Sequence, residues 1–531
     1  MVVSKKGGEG LKVVGIVAEY HPFHAGHLYQ ITYARETLGA NFVVAAMSGD
    51  FVQRGTPACL PKHLRAEMAL RCGVDLVVEM PVQSSSASAE FFARGGVSLL
   101  DGFGVVNQLC FGSESGDIEQ MMTAAKILND EPEGFQKALK THLKNGMSFP
   151  AARNRALIEY AANSVSRSQQ DRFSDQNSNS HFAPGFPKSD MSGQSNLQQT
   201  AKRQNRVFSA LDIPKPDATG QNIFRQTANC PHAVSTENLL SSPNNILGVE
   251  YCRAILDMGS SMEPVTLKRQ GADYHSRELD AKQMPSASAI RDFLQQVVAF
   301  SDACGCSQRT SNFSAVHDIL QRAQDTATIH GFSRPEDQNN IIEATILNEL
   351  KTAIPAPALS LLANAFASGE FLTEADLDIP LQYCLWNENA DTLVQYADMS
   401  PELAARIMNR RRDFQSFTQF SELLKTKELT RARIQRALLH TFLHITETPR
   451  ELPYARVLGF RKSAAPLLRE IKKRGRIPLL TKLADAEALL SPEASRILDV
   501  NTRASNIYES LLCRKSGKSF RHEYEKPLII L

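Results

Sequence analysis

The chain has 531 residues, of which 42% are hydrophobic, and its formal net charge is only +2. This length can form two or three domains, and no apolar run reaches the roughly 18 residues that span a bilayer. The nine cysteines lack zinc-type spacing, and no signal-peptide pattern follows the N-terminus. We therefore expect a cytoplasmic protein without membrane contact and without a protein-held metal site.

The first predicted elements are a strand and a helix joined by His24-Ala-Gly26-His27. The apolar run Val13–Val17 predicts a strand buried on both faces, and Leu28 to Leu38 has apolar residues at helical spacing. Free N–H groups and the positive dipole end at this helix start attract anions, and imidazoles can donate to phosphate oxygens. An ordinary turn is the alternative, but the strand-turn-helix context favours a site for a nucleoside triphosphate.

The first 130 residues continue this alternation of strand and helix patterns. Further strands are predicted at Phe42–Met47, Leu76–Val78 and Val105–Phe111, and helices at 61–72, 87–101 and 117–128. Such alternation is typical of an α/β fold with a Rossmann-like parallel sheet, in which ligands bind at the carboxyl ends of the strands.

Two loops after predicted strands carry polar residues or glycine. In Ser48–Gly55, Asp50 could orient a substrate or a metal, and Arg54 could bind a carboxylate or phosphate. Gly112 after the fourth strand would permit close approach of an adenine or ribose. A tight turn accounts for each of these loops equally well when it is taken alone.

Two later segments extend the pattern. Arg269 ends a strand-like stretch that begins at Pro264, again on the expected ligand side. Ser286 and Ser288 can cap a following helix, and Arg291 can reach back to the β- or γ-phosphate of a bound triphosphate. A routine helix cap is the alternative, but five anion-binding loops at predicted strand ends favour a nucleotide pocket.

Composition predicts three regions. Residues 1–300 would form the nucleotide-binding domain, interrupted by a polar insertion at about 163–242 whose first part, to about 205, has the composition of a disordered segment. Residues 301–345 would be a polar linker or insertion. Residues 346–531 would form a mainly helical, basic domain.

The C-terminal region has a strong local excess of positive charge. Residues 430–482 hold 13 lysines and arginines against three acidic residues, which is typical of a partner rich in phosphate. Thr430–Ile445 predicts an amphipathic helix whose apolar stripe comprises Ile434, Leu438, Leu439 and Phe442, with positive charge from Arg431, Arg433, Arg436 and His440. A second cluster comprises Lys472, Lys473, Arg474 and Arg476. Both predict RNA backbone contacts; a helix packing surface and a solvated turn are the alternatives.

Several of these motifs together resemble the bacterial tRNA(Met) cytidine acetate ligase family of the nucleotidylyltransferase superfamily. The resemblance rests on Glu19–His27, Ser48–Gly55, Phe111–Glu114, Pro243–Tyr251, Lys268–Arg269 with Tyr274–Ser276, Ser286–Arg291, Lys425–His440 and Arg456–Phe460. It covers nearly the whole chain except the polar stretches. The chain has His21 and Ala25 where the family usually has asparagines.

The resemblance implies an enzyme that uses ATP to form acetyl-adenylate from acetate, with release of pyrophosphate, and then acetylates N4 of the wobble cytidine of elongator tRNA(Met). It implies no protein nucleophile, with His24, His27, Arg269 and Arg291 neutralising phosphates and Mg²⁺ as an expected cofactor. The ATP contacts it implies, with the two serines of the cap, are Gly15, Ile16, Val17, Glu19, His24, Gly26, His27, Gly112, Asn244, Asn245, Arg269, Ser286 and Ser288. Of the two asparagines, Asn244 is the preferred contact.

Two other functions remain open from the residues alone. An adenylyltransferase for a small phosphorylated metabolite would account for the pocket but not for the basic C-terminal region. The other is a nucleotide-sensing RNA-binding protein that has lost catalysis, for which His21 and Ala25 in the motif are the only support.

Overall fold

The computed structural model describes residues 11–177, 239–269, 285–304, 344 and 346–531. The strands are β1 (Val13–Ala18), β2 (Phe42–Ser48), β3 (Phe51–Val52), β4 (Thr56–Pro57), β5 (Leu76–Met80), β6 (Gln108–Ser113), β7 (Glu263–Lys268), β8 (Ala455–Phe460), β9 (Leu479–Leu480) and β10 (Ile529–Ile530). The helices of the first 304 residues are α1 (Ala25–Glu36), α2 (Lys62–Arg71), α3 (Val82–Ser85), α4 (Ala89–Gly102), α5 (Ile118–Asp130), α6 (Glu133–Lys144), α7 (Phe149–Asn177), α8 (Pro243–Asp257) and α9 (Ala287–Cys304). The later helices are α10 (Ala356–Ala367), α11 (Asp378–Asn387), α12 (Ala390–Leu393), α13 (Pro401–Arg410), α14 (Phe417–Leu424), α15 (Arg431–Leu443), α16 (Ala465–Arg474), α17 (Ala486–Leu489) and α18 (Pro492–Ser516).

The central sheet has the strand order β10-β8-β5-β2-β1-β6-β7, with β9 beside β8. The five strands β5, β2, β1, β6 and β7 are parallel, as the alternating pattern predicts. The chain runs outward from β1 to β2 and β5, and then returns to the other side of β1 with β6. This reversal between β1 and β6 is a topological switch point, where ligands bind beyond the carboxyl ends of the strands.

Helices cover both faces of the sheet. Val14, Ile16 and Ala18 of β1 point to the face that packs on α1, α2, α9 and α10 in one apolar core. On the opposite face α4 lies so close to β1 that a Cβ on Gly96 would stand 2.6 Å from Val17 Cγ2. Because both faces of β1 are buried, its side chains are apolar throughout, which accounts for the uninterrupted hydrophobic run.

The C-terminal region is helical but also extends this sheet. β8 pairs antiparallel with β5, and β9 and β10 pair parallel with β8, so the sheet is mixed rather than purely parallel. A second apolar core, built mainly from α11 and α13–α15, also includes Phe51 and Val82 of the N-terminal half. The predicted domain boundaries at residues 300 and 346 stay a prediction. Strands β8, β9 and β10 link the C-terminal region to the N-terminal sheet.

A buried ion network joins the same two parts. Lys62 Nζ lies 2.7 Å from Glu79 Oε1 and 2.8 Å from Glu523 Oε1, and Arg456 contacts the same two carboxylates at 2.9 and 2.6 Å. All four side chains are at most 6% exposed. Mutual pairing lowers the pKa of both carboxyls despite their burial.

The end of α7, residues 158–177, belongs to a second unit of the chain and is the part of that unit that the structure describes. Most of the predicted insertion at 163–242, nearly all of the linker at 301–345 and the Tyr274–Ser276 motif lie outside the described residues; where described, residues 163–177 continue α7. Within the described ranges, no helix has the length and apolarity needed to cross a bilayer.

Candidate functional site

Two histidines cap the start of α1. His24 Nδ1 accepts a hydrogen bond from the Gly26 N–H at 3.0 Å, and His27 Nδ1 accepts one from the His24 N–H at 3.2 Å. This is a capping box made by imidazoles in place of the usual hydroxyl and carboxylate. Gly26 is required because a Cβ there would stand 2.8 Å from His24 Cε1. The predicted strand-turn-helix arrangement at this motif is confirmed.

The cap also fixes the protonation of both rings. Since each Nδ1 accepts a hydrogen bond, the proton of a neutral ring must be on Nε2. Burial, with the nearby charges of Arg269 and Arg291, lowers the pKa of His24 to about 3. Burial, His24 and Arg269 lower the pKa of His27 well below its usual value. At neutral pH both rings are therefore uncharged donors.

Arg291 connects α9 to the turn before α1. Its guanidinium donates to the His21 carbonyl oxygen at 2.6 Å and to Ser288 Oγ at 3.1 Å. Ser286 Oγ accepts from the Ala289 N–H at 3.1 Å, which confirms the predicted serine cap. The His21 ring accepts from the Cys59 N–H at 2.9 Å, and burial followed by the charge of Arg291 lowers its pKa. The turn is thus held by contacts from two directions.

A buried arginine that the sequence analysis did not identify fixes the loops after β1 and β2. Arg65 on α2 is inaccessible to solvent and donates to the carbonyl oxygens of Glu19, Ser48, Gly49 and Leu60. The Glu19 side chain in turn accepts from the Gln53 N–H at 2.7 Å. All four of these hydrogen bonds go to backbone carbonyl oxygens, and no sequence pattern predicts such contacts.

These elements surround a cleft of about 510 Å³ at the switch point. Three helix starts face it, those of α1, α8 and α9, and their N–H groups and dipoles favour a bound anion. The predicted residues that line it are Val17, Glu19, His24, Gly26, His27, Gly112, Asn244, Arg269, Ser286, Ser288 and Arg291. Arg54 and Arg436, which the sequence also singles out, line the cleft as well, together with His21, Glu374 and Ala432.

The structure distinguishes the two candidate asparagines. Asn244 lines the cleft and donates through Nδ2 to Glu114 Oε1 at 2.7 Å. Asn245 is buried, and its Oδ1 accepts from the N–H groups of Glu114 and Ser115 at 3.0 and 3.1 Å. Asn245 therefore joins β6 to α8, and Asn244 faces the position of a ligand.

Some other predicted residues lie away from the cleft. Gly15 and Ile16 are buried within β1, where a Cβ on Gly15 would stand 2.8 Å from Leu100 Cδ1. Ala25 is not among the lining residues, and its N–H donates to the Ala353 carbonyl oxygen at 2.8 Å. The suggestion that Asp50 orients a substrate or metal is wrong, because Asp50 is buried and its Oδ1 accepts from the Lys62 N–H at 3.0 Å.

The basic helix α15 forms part of the cleft wall. A Cβ on Gly55, in the β3–β4 turn, would stand 2.5 Å from the Arg436 backbone nitrogen, so this turn packs directly against the helix. Arg436 pairs with Asp398 at 2.8 Å, and Arg431 pairs with Glu374 at 3.1 Å. His440 was expected to add surface charge; this is wrong, because the ring is fully buried and burial lowers its pKa.

The second basic cluster lies near the amino-terminal ends of β1 and β6, whereas the cleft lies at their carboxyl ends. Lys472, Lys473 and Arg474 end α16, and the Arg476 N–H that follows donates to the Gly102 carbonyl oxygen at 2.8 Å. Arg474 and Arg476 line a small depression together with Leu11 and Asn107, the residues that precede β1 and β6. The cleft is at the other end of these six-residue strands, about 20 Å away.

The comparisons with known proteins agree with this geometry. A family model described as HIGH Nucleotidyl Transferase matches residues 11–523. A tRNA(Met) cytidine acetate ligase of Clostridium kluyveri is 30% identical over 98% of this chain and 99% of its own length. A tRNA(Met) cytidine acetate ligase of Acetivibrio thermocellus is 29% identical over 96% of this chain and 98% of its own length.

Two solved structures of Thermotoga maritima TmcAL share the fold. The apo form has a TM-score of 0.70 at 26% identity and covers 98% of this chain and 99% of its own. The form bound with alpha-thio ATP has a TM-score of 0.68 at the same identity, with 98% and 100% covered. The chain belongs to the HIGH nucleotidyl transferase family and, within it, to the tRNA(Met) cytidine acetate ligases.

Proposed function

We propose that this chain is an ATP-dependent ligase that activates acetate as acetyl-adenylate and acetylates N4 of the wobble cytidine of elongator tRNA(Met). The observation that carries the proposal is one cleft where uncharged imidazole donors, three helix starts and two arginines face a basic helix. Relatives named for this reaction match nearly the whole chain and support it.

In the first step the cleft would hold the triphosphate at the start of α1. The Nε2–H groups of His24 and His27 would donate to phosphate oxygens, and Arg269 and Arg291 would add positive charge. An acetate oxygen attacks the α-phosphorus in line, and pyrophosphate leaves. Because the attacking group is already an anion, the protein needs to position the reactants and balance charge rather than supply a nucleophile or a base.

In the second step the amine of a cytidine attacks the acetyl carbon, and adenylate leaves. Ala432 and Arg436 of α15 belong to the cleft wall, so RNA bound along this helix would approach the adenylate directly. Exposed Arg54 lies on the same wall. This arrangement favours the ligase over an adenylyltransferase for a small metabolite, since the latter has no use for a basic helix at the cleft.

We also propose that Mg²⁺ accompanies ATP. Among the described residues no group of three His, Cys, Asp or Glu side chains could hold a metal ion. The phosphates would therefore provide most of its ligands, with water completing the shell, as Mg²⁺ sites with few protein ligands commonly do.

The test is incubation with ATP, labelled acetate and tRNA, followed by measurement of label in RNA and of acetate-dependent pyrophosphate exchange without tRNA. We expect label at one cytidine, and we expect His24→Asn to lose both activities. Ala25→Asn is the matched control, since it changes the same motif outside the cleft. Pyrophosphate exchange at the same rate with and without acetate would favour the adenylyltransferase. ATP binding without any pyrophosphate exchange would favour the nucleotide-sensing protein.

A further inference from the structure

A second, mostly apolar groove of about 850 Å³ lies in the helical C-terminal region. We call it the aromatic groove. It is lined by Ala375, Asp376, Ile379, Pro380, Tyr383, Cys384, Asn387, Glu388, Phe442, His444, Leu511, Arg514 and Lys515. None of these residues belongs to the cleft described above, so the groove is a separate surface.

The aromatic groove adjoins the cleft through two shared elements. In the segment 373–376, Thr373 and Glu374 line the cleft, whereas Ala375 and Asp376 line the groove. In α15, Arg436 lines the cleft and Phe442 lines the groove. Six residues of helix separate these two side chains, a rise of about 9 Å.

The groove edge presents large side chains to solvent. Ile379, Tyr383 and Trp386 follow one another at helical spacing on α11 and are 66%, 73% and 50% exposed. Among the described residues, three such side chains on one helix face form a contiguous exposed surface, whereas single exposed apolar residues are common. The face therefore suits a partner that offers flat apolar groups.

Four arginines lie at or near this aromatic face, while Asp376 and Glu388 are acidic members of the groove lining. The Arg411 guanidinium lies 4.8 Å from the Trp386 ring centroid. Arg410 and Arg412 flank it in sequence and are both exposed, and exposed Arg514 lines the groove itself. Aromatic rings beside arginines are the combination with which proteins bind unpaired nucleotides, the rings stacking on bases and the cations contacting phosphates.

We propose that the aromatic groove binds unpaired nucleotides of the RNA substrate by stacking bases on Tyr383 and Trp386. The inference rests on the proposed function for the identity of the RNA. A nucleotide held here would be a neighbour of the one in the cleft, since both sites lie along α15. The groove would therefore hold the single-stranded part of the RNA in register while one cytidine enters the cleft.

Trp386 is the only tryptophan of the chain, so its fluorescence reports on the exposed face of α11 beside the groove. We expect a single-stranded RNA octamer and full-length tRNA to quench it, with no quenching by inorganic polyphosphate. Tyr383→Ala and Trp386→Ala should raise the KM for tRNA at least about fivefold, from the lost stacking of one base. Trp386→Phe should restore most of this loss. Tyr524→Ala, an aromatic residue of equal exposure outside the groove, is the matched control.

Acetate-dependent pyrophosphate exchange without tRNA should be unchanged in all four variants. An unchanged KM for tRNA would overturn the proposal, as would loss of exchange along with tRNA binding, because the groove would then be structural. Variants that separate a dimer into monomers but keep the KM would assign the face to a contact between copies, which also overturns it. If the wild-type protein shows no exchange, the proposed function fails, whereas RNA quenching still tests the groove.

Discussion

His24 and His27 hold each other in place while they cap α1. The two rings stack at 3.9 Å between centroids, and each accepts a backbone N–H of the same turn through Nδ1. The signature therefore combines two functions in one pair of side chains. Nδ1 forms the helix start, and Nε2 is left as an uncharged donor, which we propose binds a phosphate oxygen.

His24→Asn separates these functions. Asparagine is a good N-cap, so the helix start should persist, but the Nε2 donor is lost. We expect kcat/KM of acetate-dependent pyrophosphate exchange to fall by about 10²–10³, the usual loss for one preorganised donor. The unfolding midpoint in urea should change little. His24→Ala, which removes cap and donor together, should also lose about 1 kcal/mol of stability.

Arg65→Lys tests the buried arginine. Lysine keeps the charge but has a single nitrogen, which cannot reach carbonyl oxygens on the loops after both β1 and β2. We expect a loss of about 2–4 kcal/mol in the free energy of unfolding, measured in urea. Arg71→Lys on the same helix, an exposed partner of Glu67, should cost less than about 0.5 kcal/mol. Equal losses would show that Arg65 is not a specific support of the site.

Stability should fall on acidification because the site histidines are buried in the neutral form. The folded pKa of His24 is about 3, and the pKa of His21 is also lowered. In the pH range between the lowered folded pKa and the unfolded pKa of about 6.5, the unfolded chain binds more protons than the folded chain. The histidines' contribution to stability is therefore complete above about pH 6.5 and is lost as the pH falls below it. At about pH 5.5, His24 alone should cost about 1.4 kcal/mol.

His21→Asn should reduce this acid sensitivity. The asparagine oxygen can still accept from the Cys59 N–H, and it does not titrate. Urea unfolding of both proteins at about pH 7.5 and about pH 5.5 measures the difference. Equal losses in the two proteins would contradict a buried neutral imidazole at position 21.

Gly55→Ala should disturb the contact between the β3–β4 turn and α15. The residue has φ +79°, and a Cβ would collide with helix backbone at 2.5 Å. We expect transfer of label to tRNA to fall more than acetate-dependent exchange, because α15 borders the cleft and carries the arginines that we propose contact RNA. Gly39→Ala is the control: its φ is +68° but nothing lies within 4 Å, so it carries the backbone strain without the collision. If Gly55→Ala and Gly39→Ala reduce label transfer to tRNA equally, the contact between the turn and α15 does not contribute to tRNA acetylation.

The two basic regions should respond differently to the length of the RNA. Arg433→Gln and Lys473→Gln should each weaken full-length tRNA binding and reduce the salt slope of log Kd by about one. With an isolated anticodon stem-loop, only Arg433→Gln should have an effect, since the Lys472 cluster lies near the amino-terminal ends of β1 and β6. Filter binding at several salt concentrations measures both, and an effect of Lys473→Gln on the short RNA would contradict the arrangement.

Local patterns predicted the site loops because their conformation depends on near neighbours. The run Val13–Val17 and the following His-x-Gly-His pattern define a strand, a turn and a helix start, and residues within three positions form the cap. Asp50, by contrast, was misassigned. Its partner Lys62 is near in sequence, but Lys62 is itself held by Ser505 and Glu523, which are distant in sequence.

The amino-acid sequence alone thus determined the parallel core of the sheet, the capped start of α1 and the family resemblance. The tertiary structure decided that β8 joins β5 across more than 370 residues, that Arg65 supports the site loops, and that α15 borders the cleft while the Lys472 cluster does not. The physical reason is the sequence separation over which each kind of interaction acts. Helical periodicity and capping act over a few residues, whereas strand pairing and burial of charge depend on which distant segments meet.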